Sequence, residues 1–269
     1  MFINNSFRCF ALLLAVLFLS GAAMAESLWS WQHPYPTGSN INGIQFIDNS
    51  NGWGVTQRGA VFGTDDGGIT WEELYRVPWS VPLNGVFFKN TSEGWVCGEG
   101  GILLHTLDSG LNWYISYPSS NNLLSIEFID ENYGSIVGEN GTILRTMDGG
   151  VSWQTQGSGI TSPIYDVSFV NPVTGWATGS TGNVLHTETA GAFWDEQYTG
   201  LPVDYTGIHF IDDSCGFAVG DDYIVFTDDS GNSWSAAYQQ GGADFNDVDF
   251  SGNLGAAAGW LGAAVTENG

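Results

Sequence analysis

The chain of 269 residues is 43% hydrophobic and 14% aromatic, enough apolar side chain for one or two buried cores, which excludes a disordered polymer. Five Lys plus Arg face 29 Asp plus Glu, a net charge of −24, so phosphate backbones and anionic lipid headgroups are repelled and make poor partners. Cationic or neutral partners, protein or glycan, stay open.

At the N-terminus Arg8 precedes an apolar run from Phe10 to Leu19, and Gly21–Ala25 supplies an A-x-A cleavage context. That pattern predicts a secretory signal peptide over residues 1–25. The run is about half of the roughly 20 residues a spanning helix needs, so no membrane insertion is expected. The product is then exported, periplasmic or extracellular, as one domain over 26–269. It keeps four basic residues, Arg58, Arg76, Lys89 and Arg145.

From Ile44 onward the chain repeats itself with a period near 40 residues. Each unit opens with a short strand ending in Phe: Ile44–Phe46, Val86–Phe88, Ile126–Phe128, Val167–Phe169, Ile208–Phe210 and Val248–Phe250. A polar turn ending in Gly leads to a second strand that starts Gly52-Trp53, Gly94-Trp95, Gly134-Ser135, Gly175-Trp176, Gly216-Phe217 and Gly255-Ala256. A third strand runs into a turn of the form T-x-D-x-G-x-x-W, whose Trp begins a fourth strand. The copies are Thr64, Asp66, Gly68, Trp71; Thr106, Asp108, Gly110, Trp113; Thr146, Asp148, Gly150, Trp153; Thr187, Thr189, Gly191, Trp194; and Thr227, Asp229, Gly231, Trp234. Four short strands per unit, with Gly/Asn/Asp turns and no helical period, predict an all-β propeller of four-stranded antiparallel blades. Six units are visible. The last lacks its fourth strand, and Leu28-Trp29-Ser30-Trp31-Gln32 resembles one, so the N-terminal strand is expected to close the ring; a seventh blade follows instead if the sequence continues past Gly269.

This T-x-D-x-G-x-x-W spelling resembles the Asp-box, or bacterial neuraminidase repeat. The wider unit, clearest from Gly134 to Trp153, is similar to the photosystem II assembly and stability factor family and its bacterial relatives. The resemblance runs from Trp29 to Gly269. It implies a non-catalytic scaffold or assembly factor, without cofactor, whose docking surface in the family is a basic patch. Four scattered basic residues cannot form much of such a patch, and a shared fold does not transfer a partner.

Asp-boxes also occur in sialidases, so a glycoside hydrolase or glycan-binding propeller is the alternative. A sialidase needs three arginines converging on a carboxylate. Here Arg145 sits on a third strand, where other units carry His105 and His186, and Tyr75-Arg76-Val77-Pro78 follows the first Asp-box instead of preceding it. The carboxylates of the motif lie around a ring and cannot meet at one ligand, so they are read as turn formers.

Two surfaces could carry function. Loops that cross between blades hold Tyr75, Arg76, Trp79, Tyr117, Tyr165, Tyr205 and Tyr238, which either bind a partner or cap the blade tops. Around the axis, Gln45, Glu127, His209 and Asp249 either line the channel in hydrogen bonds or supply an acid and a base. No metal site is expected. His105 and His186 should lie roughly 17 Å apart or more, and Asp48–Gly52 and Asp212–Gly216 lack the closing acid of a calcium loop. Cys97 and Cys215 fall nearly opposite one another and are both expected as free thiols. A monomer is expected.

Overall fold

The computed structural model describes residues 38–252, 254–259 and 262–266. Six antiparallel sheets follow one another along the chain, five of four strands and a sixth of three among the described residues, each a meander with its strands in chain order. The signal peptide expected over residues 1–25 and the closing strand expected at Leu28–Gln32 lie outside the described residues. The first blade comprises Ile41–Phe46, Gly52–Thr56, Ala60–Thr64 and Glu72–Arg76. First strands of the later blades are Leu83–Phe88, Leu123–Phe128, Ile164–Phe169, Gly207–Phe210 and Phe245–Ser251. From the first blade to the sixth, each first strand lies against that of the following blade, and residues of all six line one axial cavity.

Burial explains the strand sequences. In the first five blades every residue of the second strand is buried, because neighbouring blades cover both of its faces. Fourth strands at the rim are largely exposed and accordingly polar, as in Gln154–Gly157. The core is therefore a series of inter-blade layers. Val55 and Val61 of the first blade pack with Leu83, Val96, Ile102 and Leu104 of the second. Aromatic rings join the layers: Trp53 lies flat on Phe88 of the next blade at 3.7 Å, Trp95 on Phe128 at 4.3 Å, Trp176 on Phe210 at 3.5 Å and Phe217 on Phe250 at 4.8 Å.

The third blade departs from this rule. Ser135 stands where a Trp would cover Phe169, and Arg145 occupies the place from which His105 and His186 stack on Trp95 and Trp176. Its guanidinium turns over the Tyr133 ring at 5.4 Å. A slot of about 10 Å³ remains beside Ser135, Arg145 and Phe169, room for one water.

The Asp-boxes are hydrogen-bonded turns. In the third, the Thr146 hydroxyl donates to Asp148 Oδ1 (2.8 Å) and accepts the Gly150 N–H (2.8 Å), while Asp148 accepts the Ser152 N–H (2.9 Å) and hydroxyl (2.6 Å). The same set recurs around Asp66, Asp108 and Asp229, and Thr189 takes the aspartate's place by accepting the Phe193 N–H (2.9 Å). Gly68, Gly110, Gly150, Gly191 and Gly231 all have φ between 80° and 91°, which a side chain would oppose. The turn also fastens blades together, since Trp53 Nε1 donates to the Ser109 carbonyl of the second box and Trp176 Nε1 to Ser230 of the fifth.

Cys97 is free and fully buried, with its thiol pushed up to about 12 by burial. Among the described cysteines Cys97 alone is free, which corrects the expectation of two free thiols. Asp48 and Asp212 each accept backbone N–H groups of their own turn, from Ser50 and Asn51 and from Ser214 and Cys215. Among the described residues no group of three or more His, Cys, Asp or Glu side chains could hold a metal, and no helix is long and apolar enough to cross a membrane.

Candidate functional site: an axial chamber

The beginnings of the first strands, fed by the crossing loops, enclose a cavity of about 220 Å³ to which all six blades contribute. Its polar lining includes Asn42, Asn84, Ser125, Asp166, Asn246 and Asp247, and its apolar lining includes Ile44, Val86, Leu124 and Ile126. Several of the polar groups lace one blade to the next. Asn42 Nδ2 donates to the Leu83 carbonyl (2.9 Å), Asn84 Nδ2 to Leu123 (2.8 Å) and the Thr206 hydroxyl to Phe245 (2.9 Å). Asp166 accepts the Ser125 hydroxyl at 2.7 Å and the Ile208 N–H at 3.0 Å.

Asp166 and Asp247 occupy the same repeat position, where the first, second and fifth blades have Gly43, Gly85 and Gly207. Neighbouring strands come so close there that a Cβ on Gly43 would lie 2.8 Å from the Asn84 carbonyl oxygen and one on Gly207 2.8 Å from Asp247 Cα. Burial pushes the Asp166 carboxyl above its ordinary range. Asp247 rises to about 7, first through burial and then through the charge of Asp166. Two carboxylates thus share an axial space and raise one another's cost of ionisation.

One step deeper along the axis, Gln45 Oε1 accepts the Phe88 N–H, Glu127 Oε2 the Phe169 N–H (2.9 Å) and Ser168 Oγ the Phe210 N–H (3.1 Å), each on the next blade. Burial and the charge of Asp166 push Glu127 up to about 8. His209 Nδ1 lies 3.3 Å from Asp249 Oδ1, and that hydrogen bond holds Asp249 below the usual carboxylate range. The structure therefore places Gln45 and Glu127 in inter-blade hydrogen bonds and His209 with Asp249 in one pair, without bringing all four together.

The crossing-loop candidates separate by burial. Trp79 and Tyr117 are each 56% exposed. Arg76 is exposed, bridged to Glu73 and bonded to the Arg58 carbonyl (3.2 Å). Tyr75 is half-buried against Trp113, and Tyr238 sits edge-on to Phe245 with its hydroxyl donating to Gln240 (2.6 Å). Tyr165 lines the chamber and donates to Asp204 Oδ2 (3.1 Å), which fixes its ring. Tyr205 is fully buried among Trp176, Val184 and Ile208, so it belongs to the core and not to a contact surface. Sequence reasoning named the Gln45 ring and missed the Asp166 and Asp247 ring two residues earlier. The signal was the repeat position that reads Gly, Gly, Ser, Asp, Gly, Asp around the blades.

Blades of this construction, joined by Asp-box turns around an axial chamber, define a β-propeller of the bacterial neuraminidase repeat type. The sequence profile described as photosynthesis system II assembly factor YCF48 matches residues 22–117 and 114–198, and the chain belongs to that family. No curated protein matches it in sequence. Among solved structures it is similar to "YCF48 bound to D1 peptide", at 24% identity and a TM-score of 0.70, over 87% of this chain and 79% of that one. It is also similar to YCF48 from Cyanidioschyzon merolae, at 22% identity and a TM-score of 0.54, over 88% and 98%. A glycoside hydrolase of family GH74 from Niastella koreensis shares 14% identity and a TM-score of 0.65 over 85% of this chain and 45% of the enzyme. At these identities the structural likenesses establish the fold.

Proposed function

We propose that the protein is an exported, non-catalytic propeller that holds a segment of another polypeptide at the chamber end of the ring, as an assembly factor does. The observation that carries this reading is the chamber itself, built from all six blades, in a chain of the YCF48 family whose crossing loops also expose Trp79 and Tyr117. A solved relative of the same family holds a peptide, which supports polypeptide as the ligand class. Pull-down from the exported fraction tests it, comparing wild type with a Trp79→Ala/Tyr117→Ala variant. Partner recovery should fall at least several-fold; equal recovery removes this end of the ring from the function.

The GH74 likeness favours a second reading, a glycoside hydrolase using Glu127 as its acid. Screening purified protein against sialosides and common polysaccharides separates the two. Turnover abolished by Glu127→Gln would replace the binding module with an enzyme.

A further inference from the structure

We propose that the axial chamber is a receptor for a single cationic side chain, lysine above all, presented by the bound polypeptide. This rests on the chamber being the binding end. The lining has two parts that match the two parts of a lysine. Ile44, Val86 and Ile126 offer apolar surface to a methylene stem, and Asp166 with Asp247 offers negative charge to its ammonium head. Tyr165 stands at the same wall with its ring fixed by the bond to Asp204, where an aromatic face can cover a cation.

No Lys or Arg answers this charge; His209 lies near enough to favour the charged forms of both carboxylates and pairs with Asp249 instead. The ion pairs among the described residues are Arg76–Glu73, Lys89–Glu93, His105–Glu93 and His209–Asp249, and none includes Asp166 or Asp247. Directly across the strand pair from Asp166 stands Thr178, whose counterparts Val55, Cys97, Val137 and Val219 are apolar. The Thr178 hydroxyl is fully buried and has no hydrogen-bond partner among the described residues. Those counterparts pack in the inter-blade layers and Thr178 is not part of the chamber lining, so its hydroxyl belongs to the core and the receptor rests on the two carboxylates and their apolar surround. Asp166 is withdrawn from solvent while Asp247 stands exposed beside it, so an incoming ammonium can reach the pair and supply the missing opposite charge. The volume, about 220 Å³, suits an alkylammonium chain, and the aliphatic share of the lining suits it better than a bare metal ion. The partner's charge is then the reverse of the basic docking patch expected of this family.

Fluorescence anisotropy with a capped, labelled Gly-Ser-Lys-Ser-Gly peptide tests the proposal against the same peptide carrying norleucine for lysine. The lysine peptide should bind at least 10-fold more tightly. Asp247→Asn, which leaves the two inter-blade bonds of Asp166 in place, should remove most of that preference, and Asp166→Asn should do the same if it folds by circular dichroism. Equal binding of the two peptides overturns the proposal while leaving a peptide-binding propeller standing. Binding of neither peptide overturns it as well, and partner recovery with the Trp79/Tyr117 variant then reports separately on the broader reading. Stoichiometric displacement of the lysine peptide by calcium chloride below millimolar concentration would make the chamber a metal site and also overturn it.

Discussion

At the scale of single residues, the aspartates that look most like chemistry are the ones most occupied by architecture. Asp148 is held below the usual carboxylate range by the Ser152 hydroxyl first and the Ser152 N–H second, bonds that close its own turn. The buried partner is Thr146, whose one hydroxyl both donates to Asp148 and accepts from Gly150. Thr146→Val keeps the shape and leaves the Gly150 N–H without its acceptor, so we expect a loss of about 1 to 3 kcal/mol in chemical denaturation. Glu127 behaves oppositely. Its folded value near 8 lies above the ordinary 4.5, so between those values the folded chain keeps a proton that the unfolded chain has released. Its contribution to stability is full below about pH 4.5 and is lost as pH rises through 8, and Asp247 acts in the same direction up to about 7. The thermal midpoint should therefore fall between pH 5.5 and 8.5, and Glu127→Gln, which can still accept the Phe169 N–H, should flatten the decline. An unchanged slope in that variant would place the titration elsewhere.

At the scale of the blade, the motif that announces the fold is not where most of the packing lies. Trp153 is one of the five motif tryptophans, yet its ring is half-buried and meets Phe128 edge-on at 5.7 Å. Trp95 and Trp176 on the second strands are fully buried and lie flat on the next blade's Phe. Trp176→Ala should cost about 3 to 5 kcal/mol and Trp153→Ala clearly less, measured by denaturant titration under identical conditions. The blade was legible because its turns need particular residues: glycine at φ near 82° in Gly150, and a short polar side chain at Thr146. Which aromatic is interior was not, because Tyr205 and Tyr117 carry the same local signal and differ only in what the neighbouring blade covers. The Ser135 and Arg145 exchange shows the same limit. Each looks like a loose copy of the repeat, and only the inter-blade layer reveals that they change together.

At the scale of the whole molecule, the ring and its acidity could be read from repeat period and composition, whereas the chamber could not. A shift in strand register recurs at this position in five blades, at Gly43, Gly85, Ser125, Asp166 and Asp247, and only two of them carry a carboxylate, so the acidic pair shows itself only when the blades are set around one axis. The charge has a global consequence with two opposite signs. A chain at −24 with two Lys or Arg ion pairs among its described residues repels itself, so raising NaCl from about 20 to 300 mM, which shrinks the screening length to below about 10 Å, should raise the thermal midpoint. The same salt competes with a cationic ligand, so affinity for the lysine peptide should fall over the range in which stability rises. Sucrose at matched osmolality separates screening from general exclusion effects, since it stabilises without weakening charge–charge attraction. If salt instead lowers the midpoint, the few ion pairs outweigh the self-repulsion; if it leaves peptide affinity untouched, the carboxylates of the chamber are not what the peptide's charge meets.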